Sequence, residues 1–145
     1  MKTLFVALFL SAAFSSFALD EPEVNQRTIE KFQIAFKEAT DVKWYAEENY
    51  DQVYCMIKGI KTQIKYDKEG KFVSCFRMYG VDELPVIIQY KLNQEHANKK
   101  ITSVAELTTD VSIEYHLVLE DDKFWYNIIS DSFGNLITDK KIKKA

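Results

Sequence analysis

One turn motif occurs twice in this chain, 64 residues apart, and this internal repeat constrains the fold more than any other feature. The first copy is YDKEGKF at 66–72 and the second is SDSFGNL at 130–136. Both contain Asp-x-x-Gly followed by a polar and then a large apolar residue. The Asp side chain opens a tight turn, and Gly accepts the positive φ that closes it. Each half of the chain is therefore expected to end in the same kind of hairpin.

Strands are predicted wherever apolar and polar residues alternate. In the first half they are expected at 42–47, 52–58, 61–66 and 72–79. In the second half they are expected at 101–107, 112–119 and 124–129. A last strand is expected over 136–138, with an extension to 142 as the alternative. Because the connections between successive strands are short, we expect antiparallel pairing.

A helix is predicted before each set of strands. Ile29, Phe32 and Phe36 form an apolar stripe in the first, at 28–39. Pro85 begins the second, where its missing N–H costs nothing, and Asp82 is a candidate cap. The expected fold class is α+β: a tandem repeat of a helix plus a four-stranded antiparallel meander, with the helices packed on one face of an extended sheet.

The N-terminal residues have the pattern of a secretory signal peptide. Lys2 precedes an apolar run at 3–10, and Ser16-Phe17-Ala18 places small residues before a cleavage site. We therefore expect a signal peptide at 1–18, cleavage near Ala18, and a periplasmic or secreted mature protein. The alternative is a buried N-terminal helix. Residues 19–145 are expected to form one domain with halves at about 25–80 and 81–142.

Charge and motif content exclude several classes of function. A net charge of −3 argues against a nucleic-acid partner, and no later segment has the roughly 18 apolar residues of a membrane span. The basic segment at 140–144 is interpreted as a solvated C-terminus, with contact to a membrane surface or an acidic partner as the alternative. Gly-x-Ser-x-Gly, phosphate-binding loops and Cys-x-x-Cys are missing, and His96 and His116 are isolated. The sequence predicts neither enzyme activity nor a cofactor or metal.

Cys55 and Cys75 invite a disulfide, since the protein is expected to be exported. Their predicted strands, however, are the outer two of a three-stranded meander. Two strand spacings come to about 10 Å, whereas bridged Cα atoms lie within roughly 7 Å. We therefore expect buried free thiols, and a bridge would imply a different strand order.

Alternation along the strands assigns residues to two faces of the sheet. The predicted core face carries Val53, Cys55, Ile57, Thr62, Ile64, Tyr66, Val73, Cys75, Tyr115, Leu117, Leu119, Tyr126 and Ile128. The opposite face, called the helix-free face below, carries Phe72 and an aromatic and methionine-rich set: Tyr54, Met56, Phe76, Met78, Trp125 and Ile129, with Tyr45 beside them. Such surfaces are typical of protein-binding sites. The alternative is that loops cover them, or that a slip of one residue exchanges the faces.

The same residues support a family resemblance. Residues 36–72, with Ala39-Thr40-Asp41-Val42-Lys43-Trp44 ahead of the hairpin, are similar to PepSY-like proteins exported by Bacteroidetes-type bacteria. So are the second-half segments at 84–85, 100–104, 115–118 and 131–134. The resemblance implies a fold like the beta-lactamase inhibitory proteins, in which tandem units share an extended sheet. It also implies non-enzymatic periplasmic binding, including inhibition of a hydrolase, and it assigns no ligand residues.

The leading functional hypothesis is a periplasmic or secreted module that contacts a protein or peptide through the helix-free face. Its expected anchors are Tyr45, Tyr54, Met56, Phe76, Met78, Trp125 and Ile129. The alternative is a small-molecule carrier with a pocket between the helices and the sheet.

Overall fold

The computed structural model describes residues 23–145, so the predicted signal peptide at 1–18 lies outside the described residues. The helices are α1 (Gln26–Ala35) and α2 (Val86–Glu95), and a 3-10 turn (Val81–Glu83) precedes α2. The strands are β1 (Thr40–Ala46), β2 (Tyr50–Ile57), β3 (Ile60–Asp67), β4 (Phe72–Tyr79), β5 (Lys100–Thr109), β6 (Ile113–Glu120), β7 (Phe124–Asp131) and β8 (Leu136–Lys143).

All eight strands form one antiparallel sheet in chain order, β1 to β8. The predicted fold class, a tandem repeat of a helix plus a four-stranded meander with helices packed on the sheet, is therefore wrong. Strand accounts for 53% of the described residues, and each helix has only ten residues and buries two side chains. The architecture is a single large sheet, because β4 pairs with β5 and leaves no boundary between two meanders.

The β4–β5 pairing is held by a polar cluster as well as by the backbone. The register runs from Ser74 opposite Thr109 to Tyr79 opposite Val104. The Tyr79 hydroxyl donates to a Glu106 carboxylate oxygen at 2.6 Å, and Arg77 lies 3.4 Å from the same carboxylate. Burial, and then the bond to Glu106, raises the pKa of Tyr79. We call this pairing the seam.

Two buried clusters lie on the predicted core face. The first is Phe32, Val53, Cys55, Ile64 and Tyr66. The second is Leu84, Ile88, Leu92, Val104, Tyr115, Leu117, Leu119, Tyr126 and Ile128. Burial of these side chains confirms the period-two assignment across β2, β3, β6 and β7.

One part of the face assignment is wrong. The register of β3 and β4 shifts between Lys65 and Tyr66, and a shift of one residue exchanges the faces that side chains occupy. Val73, expected in the core, is consequently 44% exposed. Phe72, expected on the helix-free face, packs instead against the first cluster.

Both helices also differ from their predicted limits. The first was expected at 28–39 but ends at Ala35. Its N-cap is Asn25, whose side chain accepts from the Arg27 backbone N–H at 2.9 Å. Asp82 does not cap α2, because it lies within the 3-10 turn, and the cap position is Pro85 without a side-chain bond.

The Asp-x-x-Gly turns have the predicted geometry, and the cysteines are unbridged as predicted, although Cys75 is only partly buried. Gly70 and Gly134 have φ values of +76° and +82°. Asp67 Oδ1 accepts from the backbone N–H of the residues two and four positions later, and Asp131 Oδ1 does the same. Cys55 and Cys75 lie on β2 and β4 with β3 between them, and both thiols are free. Burial raises the pKa of Cys75 to about 11.

Candidate functional site

A groove of about 380 Å³ opens among strands β1 to β4. It lies on the helix-free face, and its lining combines aromatic, methionine and lysine side chains. The lining residues are Asp41, Lys43, Tyr54, Cys55, Met56, Lys61, Thr62, Gln63, Phe76 and Met78. Four of the seven predicted anchors therefore come together here. They are Tyr54, Met56, Phe76 and Met78.

Strand register explains why these side chains meet. Tyr54 lies opposite Gln63, which lies opposite Phe76, so the three form one row across β2, β3 and β4. The next row is formed by Met56, Lys61 and Met78. Neighbouring strands are about 4.8 Å apart, which brings the side chains of each row into contact range. The tyrosine, the phenylalanine and Met78 are 43%, 37% and 51% exposed.

Tyr45 lies beside the groove rather than in its lining. Its ring packs edge-on against the Tyr54 ring, with centroids 5.5 Å apart. It is about half exposed. The pair extends the apolar surface of the groove toward the end of β1, so Tyr45 belongs to the same patch as the four lining anchors.

Ile129 lies on the helix-free face but away from the groove. It continues the Met56–Lys61–Met78 row through Ala105 and His116, three strands beyond Met78. At about 4.8 Å per strand this separation is about 14 Å. Ile129 is half-buried and would contact only a partner broad enough to cross the seam.

Trp125 is also remote from the groove, and another side chain covers part of it. It pairs with Glu120 near the far end of β7. Lys144 Nζ lies 4.6 Å from the ring centroid and 2.7 Å from a Glu120 carboxylate oxygen. The basic residues 140–143 belong to β8 and are exposed to solvent, which agrees with their interpretation as a solvated segment, although they form a strand rather than a free tail.

Two lysines inside the groove and one leucine across the seam from it are absent from the predicted anchors. Lys43 and Lys61 line the groove. The alternation of side chains along β1 and β3 places both lysines on the helix-free face, so the sequence pattern could have identified them. Leu107 lies directly opposite Phe76 across the seam. Recognising Leu107 requires the β4–β5 register, which nothing in the local pattern supplies.

The groove favours contact rather than covalent chemistry. Its only thiol, Cys55, is buried, and burial raises the pKa of that thiol. A raised pKa leaves little thiolate, the reactive form. Within residues 23–145 no group of three or more His, Cys, Asp or Glu side chains could hold a metal ion. The prediction that the protein is not an enzyme stays a prediction.

The carrier alternative requires a pocket between helix and sheet, and a smaller hollow lies there. It has a volume of about 280 Å³ and lies between the end of α1 and β1. Its lining residues are Phe32, Gln33, Phe36, Lys37, Ala39, Val42 and Trp44. Separately, no helix in residues 23–145 has the length and apolar character needed to cross a bilayer.

Solved structures with the same fold come from Bacteroides. A BLIP-like protein of Bacteroides fragilis superposes with a TM-score of 0.68 at 16% identity, covering 85% of this chain and 89% of the other. A DUF2874 family protein of Bacteroides uniformis gives 0.65 at 14%, covering 83% and 90%. A protein of Bacteroides eggerthii described as periplasmic gives 0.64 at 11%, covering 83% and 89%.

No protein-family model matches the chain, and no curated protein matches it by sequence. Identities of 11% to 16% establish a shared fold alone. The expected likeness to the beta-lactamase inhibitory proteins is thus confirmed at the level of fold. The PepSY-like assignment stays a prediction.

Proposed function

We propose that this chain is a non-enzymatic binding module that captures a protein or peptide on the helix-free face of its sheet. The observation that carries the proposal is the groove, where Tyr54, Phe76 and Met78 are exposed together. A folded domain gains stability by burying such side chains, so their clustering on one open face favours a partner that covers them. Aromatic side chains dominate the binding energy of many interfaces.

The proposed anchors fall into two regions. Tyr45, Tyr54, Met56, Phe76 and Met78 form the principal region at the groove. Trp125 and Ile129 form an outer region beyond the seam, which a large partner would reach. The weaker exposure of both outer residues predicts a smaller contribution to binding than that of the groove.

The proposed compartment is the periplasm, after cleavage of a signal peptide near Ala18. Support comes from the N-terminal sequence pattern and from the described periplasmic origin of a protein with the same fold. Another protein with this fold is described as BLIP-like. Inhibition of a hydrolase is accordingly the first activity to test on a captured partner.

The test is affinity capture from periplasmic extract with residues 19–145 as bait. The double variant Tyr54→Ala/Met78→Ala removes two groove anchors. Because Met78 is about half exposed, we expect Met78→Ala to alter stability by less than about 0.5 kcal/mol. Tyr54→Ala also removes the edge-on contact with the Tyr45 ring, which adds a loss of about 0.5–1.5 kcal/mol. A partner retained by the native bait should be lost by the double variant, while circular dichroism shows that this variant is still folded at the temperature of the capture.

The matched control is Tyr90→Ala/Val86→Ala on α2, which truncates two side chains that are 55% and 81% exposed. We expect this bait to retain the partner. If both double variants capture the same proteins as the native bait, the groove is not the binding site. If the groove variant is instead strongly destabilised, it is replaced by the single change Met78→Ala, at the most exposed of the groove anchors, and unchanged capture by that variant also contradicts the proposal.

A further inference from the structure

We infer that the occupant of the groove is an acidic protein segment, one that presents carboxylates on either side of an apolar side chain. This inference rests on the proposed function and adds the chemical class of the partner. The inference rests on two features of the groove. Its apolar floor is formed by Tyr54, Met56, Phe76 and Met78, and beside this floor lie Lys43 and Lys61, whose charges no ion pair in residues 23–145 compensates.

The lysines are part of the floor rather than a distant rim. Lys61 lies between Met56 and Met78 in one row, opposite the first on β2 and the second on β4. Lys43 lies opposite Tyr54. The methylene stems of lysines cover apolar surface while their ammonium groups remain in water. A partner that covers Tyr54 and Met78 therefore meets both ammonium groups at close range.

Neither lysine has an acidic partner. Among residues 23–145, Lys43 and Lys61 take part in no ion pair. Asp41 is the only carboxylate in the groove lining. A third lysine on this face, Lys65, lies over the Tyr50 ring at 4.7 Å from the centroid, and it too forms no ion pair within the described part of the chain.

The local positive charge contrasts with the rest of the molecule. The chain has a net charge of −3, yet the groove lining holds two lysines and one aspartate. Beyond the seam, Glu120 is paired with Lys144 at 2.7 Å, and Glu114 lies 3.4 Å from His116. The groove lining therefore carries a net positive charge, and complementary charge steers the encounter with an acidic segment.

Apolar insertion supplies the second half of the recognition. Met56 and Met78 are flexible and polarizable, so they adapt to side chains of different shape. Phe76 and Tyr54 add rigid aromatic surface. A leucine or aromatic side chain flanked by Asp or Glu satisfies both the floor and the two ammonium groups, whereas a basic segment would be repelled.

The test uses a display library of random peptides, selected on immobilised protein and then synthesised for titration. We expect the enriched peptides to carry Asp or Glu around a leucine or aromatic residue. Lys43→Gln and Lys61→Gln should each weaken the Kd about two- to fivefold, as expected for exposed ion pairs. Added salt should weaken binding to the native protein and have a smaller effect on the double lysine variant.

Lys37→Gln/Lys123→Gln is the matched control, because it removes two exposed positive charges elsewhere. Neutral or basic peptides that depend on Tyr54 and Met78 but not on the lysines would overturn the inference and leave the proposed function standing. Enriched peptides indifferent to Tyr54→Ala/Met78→Ala would overturn both. Lysine-dependent binding of phosphatidylglycerol vesicles, with no peptide enriched, would assign the lysines to a lipid surface and contradict the inference.

Discussion

At the scale of single residues, Asp121 is a carboxylate with a well-defined structural task. It opens the turn between β6 and β7. One carboxylate oxygen accepts from the Tyr126 hydroxyl at 2.6 Å, and the other accepts from the backbone N–H groups of Lys123 and Phe124 at 2.8 Å. The hydrogen bond from Tyr126, followed by that from Lys123, lowers the pKa of Asp121 from 3.8 to about 2.

This shift predicts acid sensitivity over a narrow range. A carboxyl whose folded pKa is depressed stabilises the protein above its unfolded pKa, and the contribution is lost as the pH falls through the folded value. Stability should therefore decline between about pH 4 and pH 2. Asp121→Asn should make this decline shallower. Urea unfolding midpoints measured at several pH values check the prediction.

Asp122→Asn is the control, since it removes the neighbouring exposed carboxylate, which accepts no described side-chain hydrogen bond. We expect it to retain the native decline. Equal slopes in the native protein and Asp121→Asn would show that other groups govern the acid transition.

At the scale of elements, α1 is fixed against the turn between β3 and β4. Lys31 Nζ donates to the Gly70 carbonyl at 3.2 Å. Near the start of the helix, the Asn25 backbone N–H donates to buried Asp51, whose other carboxylate oxygen is 2.7 Å from Lys68 Nζ. The turn and the helix therefore approach closely through several independent contacts.

Gly70→Ala should destabilise the protein through this approach. An added Cβ would lie 2.7 Å from the buried Thr28 Oγ1, and φ is +76°. The left-handed backbone alone costs about 1–2 kcal/mol for a residue other than glycine, and the overpacked contact adds about 1–3 kcal/mol. The free energy of unfolding from urea titration measures the sum.

Gly59→Ala separates the two contributions. Gly59 has a φ of +78°, but an added Cβ there meets nothing within 4 Å. It should therefore show the backbone cost alone. Equal losses in the two variants would mean that Thr28 and α1 move away without cost.

The sequence predicts features that depend on the local pattern of one strand, but not features that depend on pairing between distant strands. Alternation placed Val53, Ile64 and Leu117 in the core, because period-two burial is a property of each strand by itself. It misplaced Phe72 and Val73, since a register shift leaves no mark in the alternation. The tandem-unit fold class failed for a related reason: pairing of β4 with β5 depends on residues far apart in the chain.

The candidate site follows the same division. The groove anchors on β2 and β4 were predictable, because hairpin turns fix the register of consecutive strands. Trp125 was expected to be an open anchor, but Lys144 covers part of it. That contact requires the position of β8 beside β7, which alternation within either strand does not specify.

At the scale of the whole molecule, the continuous sheet predicts cooperative unfolding. Trp44 packs edge-on against Phe32 with ring centroids 5.3 Å apart, and Trp125 lies on β7. These are the two tryptophans of the chain. Trp44→Phe and Trp125→Phe therefore yield single-tryptophan proteins that report on opposite sides of the seam.

Within each single-tryptophan protein, fluorescence and far-UV circular dichroism should give the same urea midpoint, as in two-state unfolding. Adding Gly70→Ala should lower the midpoint seen by either tryptophan, although Gly70 lies on one side only. If Gly70→Ala lowers the urea midpoint reported by Trp44 but leaves the midpoint reported by Trp125 unchanged, the two sides of the seam unfold independently.

The seam also sets the order in which the chain can assemble. The connection from β4 to β5 spans 80–99, 20 residues, whereas the turn from β2 to β3 has only two, 58–59. The entropic cost of closing a loop grows with its length, so the first backbone bond of the seam forms at a greater entropic cost than the first bond next to that turn. The hairpins on either side of the seam can form quickly, because their strands are close in sequence. Joining the two ribbons is then the slow event, and folding speed is governed by the one ladder whose strands are distant in sequence.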